Sequence, residues 1–349
     1  MTGSKVRVRS GATGDSLSLT VAGDPVELER GLQLAYLLLT DPVVERPRLD
    51  QWKDAELQRL IQRKTRPMQV LVDRSADAIY PAGEWRPKTL TAEQVRALTR
   101  PAAQAWLERL ITEAPIEVAV VGDVGPRDGH AAGQRSTWAR CPRVPASATR
   151  RWPICGPSPS RRARSIVAES VEVLTPQAAV FAGFFGADLS NVRDTRLLNL
   201  AARVLSTRMT KIIREERQLV YSIDASSEPA VVYPGFGIFA AFAPTDPEKA
   251  PKLVAALEDM YAEFSKDGPT AEELTVAKKQ TDNLLDEIPK TPNFWVGRLS
   301  TLDYRGLNLD DVLAAQAQYQ RFTAQEIQDA FVRYDKPEAR LRFVITPKS

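Results

Sequence analysis

The sequence is short of the residues that build most metal and nucleophilic sites. It holds one histidine, His130, and two cysteines, Cys141 and Cys155, among 349 residues. A site that needs two imidazoles cannot be built from these residues, and a Ser-His-Asp triad would have to use His130. Two cysteines cannot form a disulfide scaffold, so the cysteine content leaves the compartment open.

Long apolar runs are also missing. The longest, Ala178–Ala187, has about ten residues, whereas a membrane-spanning helix needs about 20. The amino terminus shows no apolar signal-peptide core. With 43% hydrophobic and 26% charged residues the composition is typical of a soluble globular protein, and a net charge of +3 is too small to suggest a nucleic-acid partner. The length predicts about two domains.

The positive charge is concentrated in Gly125–Arg164. This window contains nine arginines against one acidic residue, both cysteines and the histidine, and it has neither helical nor strand periodicity. It could be a basic, Pro-rich linker or a phosphate-binding arm. Our leading hypothesis is translation out of frame, because one permitted back-translation of Ser136–Ala146, read from its third base, gives a peptide typical of a helix end and linker. A zinc site is disfavoured because Cys141, Cys155 and His130 lack close-pair spacing.

An internal repeat organises the rest of the chain. Asp24-Pro25 and Asp246-Pro247 lie 222 positions apart, and each follows a strand end. Asp at the N-cap and Pro at the first helical position predict a helix start in both copies. Each copy then continues through a polar helix, a short turn-rich stretch and two more helices to a final strand, predicted at Ile116–Val121 and Arg340–Ile345. In the second copy the capping box Thr270–Glu273 predicts the start of the polar helix. Such an order at a nearly constant offset indicates two homologous domains.

The second copy has an additional front end that the first lacks. It comprises predicted strands at Ile166–Leu174 and Ala178–Gly186, a long helix near Asp194–Glu216, and strands at Val220–Ser226 and Gly235–Ala243. We therefore predict an α+β fold with two homologous two-layer sandwiches, each an antiparallel sheet with helices on one face, the first apparently truncated at its N-terminus. A parallel Rossmann sheet is disfavoured because G-x-G-x-x-G is missing. If the sheet of the first copy lacks the front-end strands of the second, it would expose an unpaired edge and an apolar face.

The stretch that runs through Thr195–Leu198, Ser206–Met209 and Ile213–Ser222 resembles the pitrilysin/insulinase group of zinc peptidases. The resemblance implies a clamshell of four homologous α+β domains. It also implies that residues 1–124 are a partial third-type domain and residues 166–349 a fourth-type domain. Residues 125–165 stand between them as the basic linker or out-of-frame segment.

The resemblance implies a peptidase activity that this chain cannot carry alone. Members of the group hold zinc with a His-x-x-Glu-His helix and a downstream Glu, and this sequence has no such motif. We expect no metal bound by this chain, zinc in a partner half or subunit, and no activity of the chain by itself. Peptide specificity and oligomeric state stay undetermined by the sequence.

Two residues match the group's substrate-contacting pair in its fourth domain, an Arg followed by a Tyr seven residues later. They are Arg214 and Tyr221. Without the resemblance, Arg214 reads as one charge on a solvated helix end and Tyr221 as a strand aromatic. With it, both are expected to donate hydrogen bonds to substrate carbonyls or to the oxyanion that develops on hydrolysis. The alternative function is a non-catalytic structural or binding subunit.

Overall fold

The computed structural model describes residues 5–84, 86–114, 116–123, 165–174 and 176–348. Contacts divide these residues into two compact units. The first unit comprises the described residues of 5–58, 90–123 and 289–305, and the second those of 59–89, 165–288 and 306–348. The two units interleave along the sequence, and each is described below by itself.

The elements follow one another in the order that the α+β prediction requires, which confirms the fold class. The strands are β1 (Arg7–Ala12), β2 (Leu17–Ala22), β3 (Ser165–Val171), β4 (Ala178–Gly186), β5 (Asp224–Glu228), β6 (Gly237–Thr245) and β7 (Arg340–Pro347). The helices are α1 (Leu28–Thr40), α2 (Arg46–Lys64), α3 (Pro67–Ile79), α4 (Ala92–Ala97), α5 (Arg100–Glu113), α6 (Val192–Met209), α7 (Ala250–Asp267), α8 (Ala271–Glu287), α9 (Pro292–Leu299), α10 (Leu309–Leu313), α11 (Ala315–Arg321) and α12 (Ala324–Tyr334).

In the first unit, α1 packs on the antiparallel hairpin β1–β2. Asp24 begins the preceding turn as predicted, because its carboxylate accepts a hydrogen bond from the Val26 amide at 3.1 Å and Pro25 follows it. Gly31 allows the close approach of helix and hairpin, since a Cβ there would lie 2.5 Å from side-chain atoms of Val21 and Val6.

The first unit buries few large apolar side chains. Among its described residues the buried hydrophobic ones are Val6, Ala35 and Val95. The predicted strand at Ile116–Val121 was wrong, because these residues form no strand and pair with none of the described strands. Within this segment Ile116 is 44%, Val118 59% and Val120 51% exposed, because no described strand pairs with it to place alternate side chains in a core.

The second unit contains a five-stranded sheet with the order β3-β7-β4-β6-β5. Strand β3 is parallel to β7, and the other neighbours are antiparallel. Central β4 is buried along almost its whole length, as its uninterrupted apolar sequence requires of a strand covered on both faces.

The two faces of this sheet have different covers. Phe184 stacks on Phe239 and meets the edge of Phe331 from α12, so α7 and α12 lie on that face. Phe185 points to the opposite face, since side chains of consecutive strand residues alternate between the faces. There it contacts Phe236. Tyr80, at the end of α3, stacks on Phe236 with ring centres 4.7 Å apart. The sheet therefore has helices on one face as predicted, and α3 covers part of the other.

Helix α3 occupies a stretch that the sequence predicted to be short and turn-rich. Pro67 stands at its first turn and Val70, Leu71 and Ile79 are buried. Val70 and Leu71 follow Pro67 by three and four positions, and Ile79 follows Leu71 by eight, so the buried residues form a partial helical stripe. The helix continues the polar region of the first repeat, yet its apolar side chains belong to the core of the second unit.

Helix starts in the second unit follow the predicted caps with one difference. Thr270 and Glu273 form a capping box, in which the Glu273 amide donates to Thr270 Oγ1 at 3.2 Å and the Thr270 amide donates to Glu273 Oε2 at 2.8 Å. Asp246 precedes its helical turn, but its carboxylate pairs with Lys249 Nζ at 2.8 Å and makes no side-chain cap. The ammonium group competes for the same carboxylate oxygens as the helix amides.

Candidate functional site

The candidate residues Arg214 and Tyr221 lie in the segment that connects the end of α6 to strand β5. After Met209 the helix widens into a π-helical turn, Thr210–Glu216, and the Arg217 amide donates to the Ile212 carbonyl at 2.9 Å. Single π turns inside helices are rare and are frequent at functional sites. Arg214 lies on this turn.

A charged cluster fixes the part of α6 that precedes the π turn. Arg208 donates two hydrogen bonds to Glu273, at 2.6 and 2.8 Å, and a third to the Gly268 carbonyl at 2.8 Å. Its guanidinium lies 5.2 Å from the ring centre of Phe264. Burial alone would raise the pKa of Glu273, but the bonds from Arg208 and Thr270 together lower it below its ordinary value. The end of α6 is therefore tied to α8.

The chain then reverses over two residues. Gln218 has φ of 52°, in the left-handed region that a non-glycine residue adopts at some energetic cost. The Leu219 amide closes the helix end by donating to the Ile213 carbonyl at 3.0 Å. Leu219 and Val220 are 8% and 7% exposed and anchor the reversal in the core.

The predicted strand Val220–Ser226 is shorter than expected and begins later, at Asp224. Val220 makes only an isolated antiparallel bridge, with Thr245. Thr245 is buried, and its hydroxyl donates a 2.6 Å hydrogen bond to the Leu219 carbonyl. The reversal interrupts the ladder, so a side chain supplies the bond that strand pairing would otherwise give.

Both candidate residues project from this anchored reversal. Arg214 is exposed, and Tyr221 is 85% exposed. Ile213, directly before Arg214, is fully buried and bonded through its carbonyl to Leu219, two residues before Tyr221. One backbone hydrogen bond, from the Leu219 amide to the Ile213 carbonyl, therefore joins the segments that carry Arg214 and Tyr221. In the described part of the chain, neither side chain makes an ion pair or a hydrogen bond.

A further cation lies beside Tyr221. The Asp246 carboxylate raises the pKa of Lys249 through a hydrogen bond, and Tyr221 contributes a smaller interaction in the same direction. Arg214 and Tyr221 thus offer a guanidinium and a phenol, whereas the Lys249 ammonium group is already paired with Asp246. This set can donate hydrogen bonds to carbonyl or carboxylate oxygens.

The family resemblance predicted Arg214 and Tyr221 as site residues, and no sequence pattern indicated a part for Gln218 or Thr245. Glutamine has no preference for the left-handed region, so nothing in the pattern signalled the reversal. Thr245 reads as an ordinary β-branched strand residue, and only the tertiary contact with Leu219 reveals the role of its hydroxyl.

Metal and membrane features were searched in the described ranges alone. No group of three or more His, Cys, Asp or Glu side chains is arranged there to hold a metal ion. Within those ranges no helix combines the length and apolarity needed to cross a membrane. His130, Cys141 and Cys155 lie outside the described residues, as does the window Gly125–Arg164 with its linker and out-of-frame interpretations.

Comparison with known proteins gives a family. The model of the family described as "Peptidase M16 inactive domain" matches residues 97–281, which is more than half of the chain. A search of curated proteins gives no significant match.

Solved structures share the fold. A peptidase M16 inactive domain from Pseudomonas fluorescens superposes with a TM-score of 0.80 at 18% identity, over 99% of this chain and 82% of that one. The periplasmic protease PqqL from Escherichia coli gives 0.75 at 19% identity, over 98% of this chain and 37% of its own. A mutant of the ferredoxin protease FusC, in complex with Arabidopsis ferredoxin, gives 0.77 at 13% identity, over 99% and 37%.

Proposed function

Because this chain belongs to the family of peptidase M16 inactive domains, we propose that it is the non-zinc half of a pitrilysin-like metallopeptidase. In this role it binds peptide substrate and assists hydrolysis at a zinc site held by another domain or subunit. The family match confirms the resemblance that the α6–β5 region indicated. The chain spans 37% of PqqL and of FusC, so the activity of a whole peptidase is part of the proposal.

The observation that carries the proposal is the presentation of Arg214 and Tyr221. Both side chains are exposed and make no ion pair or hydrogen bond with the described residues, while the backbone between them is held by buried Leu219 and Val220. An arginine on a helix end usually finds an acidic neighbour, and Glu215 and Glu216 adjoin this one in sequence. A guanidinium and a phenol held on a rigid turn suit a peptide, whose carbonyl oxygens accept hydrogen bonds in a fixed geometry.

The residues of this chain do not fit a catalytic zinc ion. The described residues offer no metal-binding cluster, and the sequence has one histidine where the family's motif needs two. The role proposed for this chain is therefore limited to holding and orienting a substrate carbonyl. Hydrogen bonds from preorganised donors stabilise negative charge on such an oxygen, and loss of one donor of this kind costs about 100-fold in turnover.

Single substitutions in the complex of this chain with its zinc-bearing half test the proposal. Arg214→Ala and Tyr221→Phe are each expected to lower kcat for a fluorogenic peptide by about 100-fold, and Arg214→Lys by less, because lysine keeps the charge but not the fork of donors. Arg217→Ala is the matched control, since Arg217 is an exposed arginine at the same helix end. Its turnover should remain within about twofold of the wild type.

Unchanged turnover in both Arg214→Ala and Tyr221→Phe, with the complex still assembled, would contradict the proposal. That result would favour the alternative, a non-catalytic structural or binding subunit related to the family. Size-exclusion chromatography of each variant with the zinc-bearing half separates loss of assembly from loss of turnover.

A further inference from the structure

Thr245 takes part in two linked contacts whose backbone groups lie next to both candidate residues in sequence. Its hydroxyl donates to the Leu219 carbonyl at 2.6 Å, and the Leu219 amide donates to the Ile213 carbonyl at 3.0 Å. Ile213 precedes Arg214 directly, and Tyr221 follows Leu219 by two positions. A single peptide residue, Leu219, therefore links the π turn on one side to the last residue of β6 on the other.

The Thr245 hydroxyl is needed at Leu219 because the backbone there belongs to no helix or strand. The segment between Glu216 and Asp224 belongs to neither helix nor sheet ladder, apart from the bridge between Val220 and Thr245. Leu219 is buried, so its carbonyl would lack an alternative partner from solvent if Thr245 offered none. Valine has the same shape and strand preference as threonine, and it would pack there without supplying the donor.

The strand that carries Thr245 is itself rigid. Thr245 is 5% exposed and pairs in register with Ala178 of central β4. Its neighbours along β6 are mostly buried. The hydrogen bond from Thr245 therefore fixes the Leu219 carbonyl to the end of a buried strand of the sheet.

We infer that Thr245 is a positioning residue that fixes Arg214 and Tyr221 through the Leu219 peptide. The inference rests on the proposed function for the importance of that position to turnover, and on the contacts of Leu219 for the position itself. Thr245 is buried and touches no substrate; it acts by holding the segment whose exposed side chains do.

The test compares Thr245→Val with Thr245→Ser in the full chain. Valine removes the donor and keeps the shape, whereas serine keeps the donor. Hydrogen exchange of the Leu219–Tyr221 amides should be about tenfold faster in Thr245→Val and within about twofold of wild type in Thr245→Ser, with other segments of the sheet unchanged. The line width and shift of 3-fluorotyrosine incorporated at position 221 report the same loosening at the side chain.

Turnover in the complex with the zinc-bearing half gives a readout that a merely structural role would not move. Thr245→Val should lower kcat about tenfold with little change in KM, and Thr245→Ser should restore it. In a Tyr221→Phe, Arg214→Ala background the additional effect of Thr245→Val should fall below about twofold, because residues that act through one another are not additive.

The possible outcomes distinguish failure of the positioning role of Thr245 from failure of the proposed function. Unchanged exchange and unchanged fluorine signal in Thr245→Val overturn the positioning role, whatever the turnover. Faster exchange with wild-type kcat also overturns it, provided that Tyr221→Phe lowers kcat. If Tyr221→Phe and Arg214→Ala leave kcat unchanged, the proposed function fails, while the exchange rates and the fluorine signal still decide whether Thr245 holds the segment in position.

A measurement on the wild type covers the case in which Thr245→Val does not fold. The Leu219 amide should exchange at least tenfold more slowly than the Gln218 amide, because Leu219 is buried and its amide donates to the Ile213 carbonyl, whereas Gln218 is exposed. Equal exchange rates for the two amides would overturn the inference without any variant.

Discussion

Arg208→Met should destabilise the second unit by about 3 kcal/mol. Arg208 and Glu273 are 11% and 23% exposed, and two hydrogen bonds of 2.6 and 2.8 Å join them. An exposed ion pair contributes at most about 1 kcal/mol, whereas breaking a buried pair costs about 3–5 kcal/mol because one charge stays buried without a partner. Loss of the bond to the Gly268 carbonyl adds to the cost, and the partial exposure of Glu273 reduces it.

Urea unfolding and calorimetry measure this change. For a unit of about 200 residues, 3 kcal/mol corresponds to a fall in Tm of roughly 6–12 °C. Arg342→Met is the matched control, since Arg342 pairs with Glu258 at 3.0 Å while the two side chains are 35% and 46% exposed. That substitution should cost less than about 1 kcal/mol.

A double-mutant cycle isolates the pair from the helix cap. Glu273→Gln removes the charge but keeps a side chain that can complete the capping box with Thr270. The variant that combines Arg208→Met with Glu273→Gln should recover at least about 1 kcal/mol relative to the sum of the single changes, because neither charge is then left alone. Additive losses, or a loss in Arg208→Met no larger than in Arg342→Met, would refute the reasoning.

The pH dependence of stability follows from the same pair. The pKa of Glu273 is lowered in the folded protein from an ordinary value of 4.5, so the stabilisation is present above about pH 4.5 and is lost as the pH falls through the folded pKa. The difference in stability between wild type and Arg208→Met should therefore shrink as the pH falls below about 4.5. Urea titrations at several pH values check this sign.

Two further substitutions test the core and the reversal. Phe331→Ala should lower the free energy of unfolding by about 4 kcal/mol, as measured in urea. The Phe331 ring is fully buried, and its centre lies 4.8–5.3 Å from the ring centres of Phe264, Phe184 and Phe239. Phe331→Leu should cost clearly less. Gln218→Gly should leave stability unchanged or raise it by up to about 1 kcal/mol, because glycine adopts the left-handed region freely. Gln280→Gly, inside α8, is the control and should cost about 1 kcal/mol. Equal losses in both variants would contradict the strain at Gln218.

Local signals determined much of the architecture. Caps and strand composition act through neighbours in sequence, so Asp24 with Pro25 and Thr270 with Glu273 begin helices where the pattern predicted them. The continuous apolar run of β4 predicted a strand at Ala178–Gly186 and a buried position in its sheet, and both are observed. The division into domains 1–124, 125–165 and 166–349 stays a prediction, because it concerns homology, whereas the compact units reflect contacts.

Long-range contacts decided the elements that the sequence missed. Helix α3 is held because its apolar side chains cover a sheet face formed by residues about 100 to 270 positions later. The segment Ile116–Val121 has the composition of a strand, yet a strand is defined by a neighbour, and the described residues supply none. In both cases the local pattern was compatible with more than one structure, and distant partners selected among them.

The candidate site shows the same division. The residue types of Arg214 and Tyr221, and their separation of seven positions, can be read directly from the sequence. Their joint presentation depends on a π turn, on a left-handed Gln218 and on the hydroxyl of Thr245. These arise where helix and sheet meet, since burial of Leu219 and Val220 stabilises a backbone path that no local preference favours.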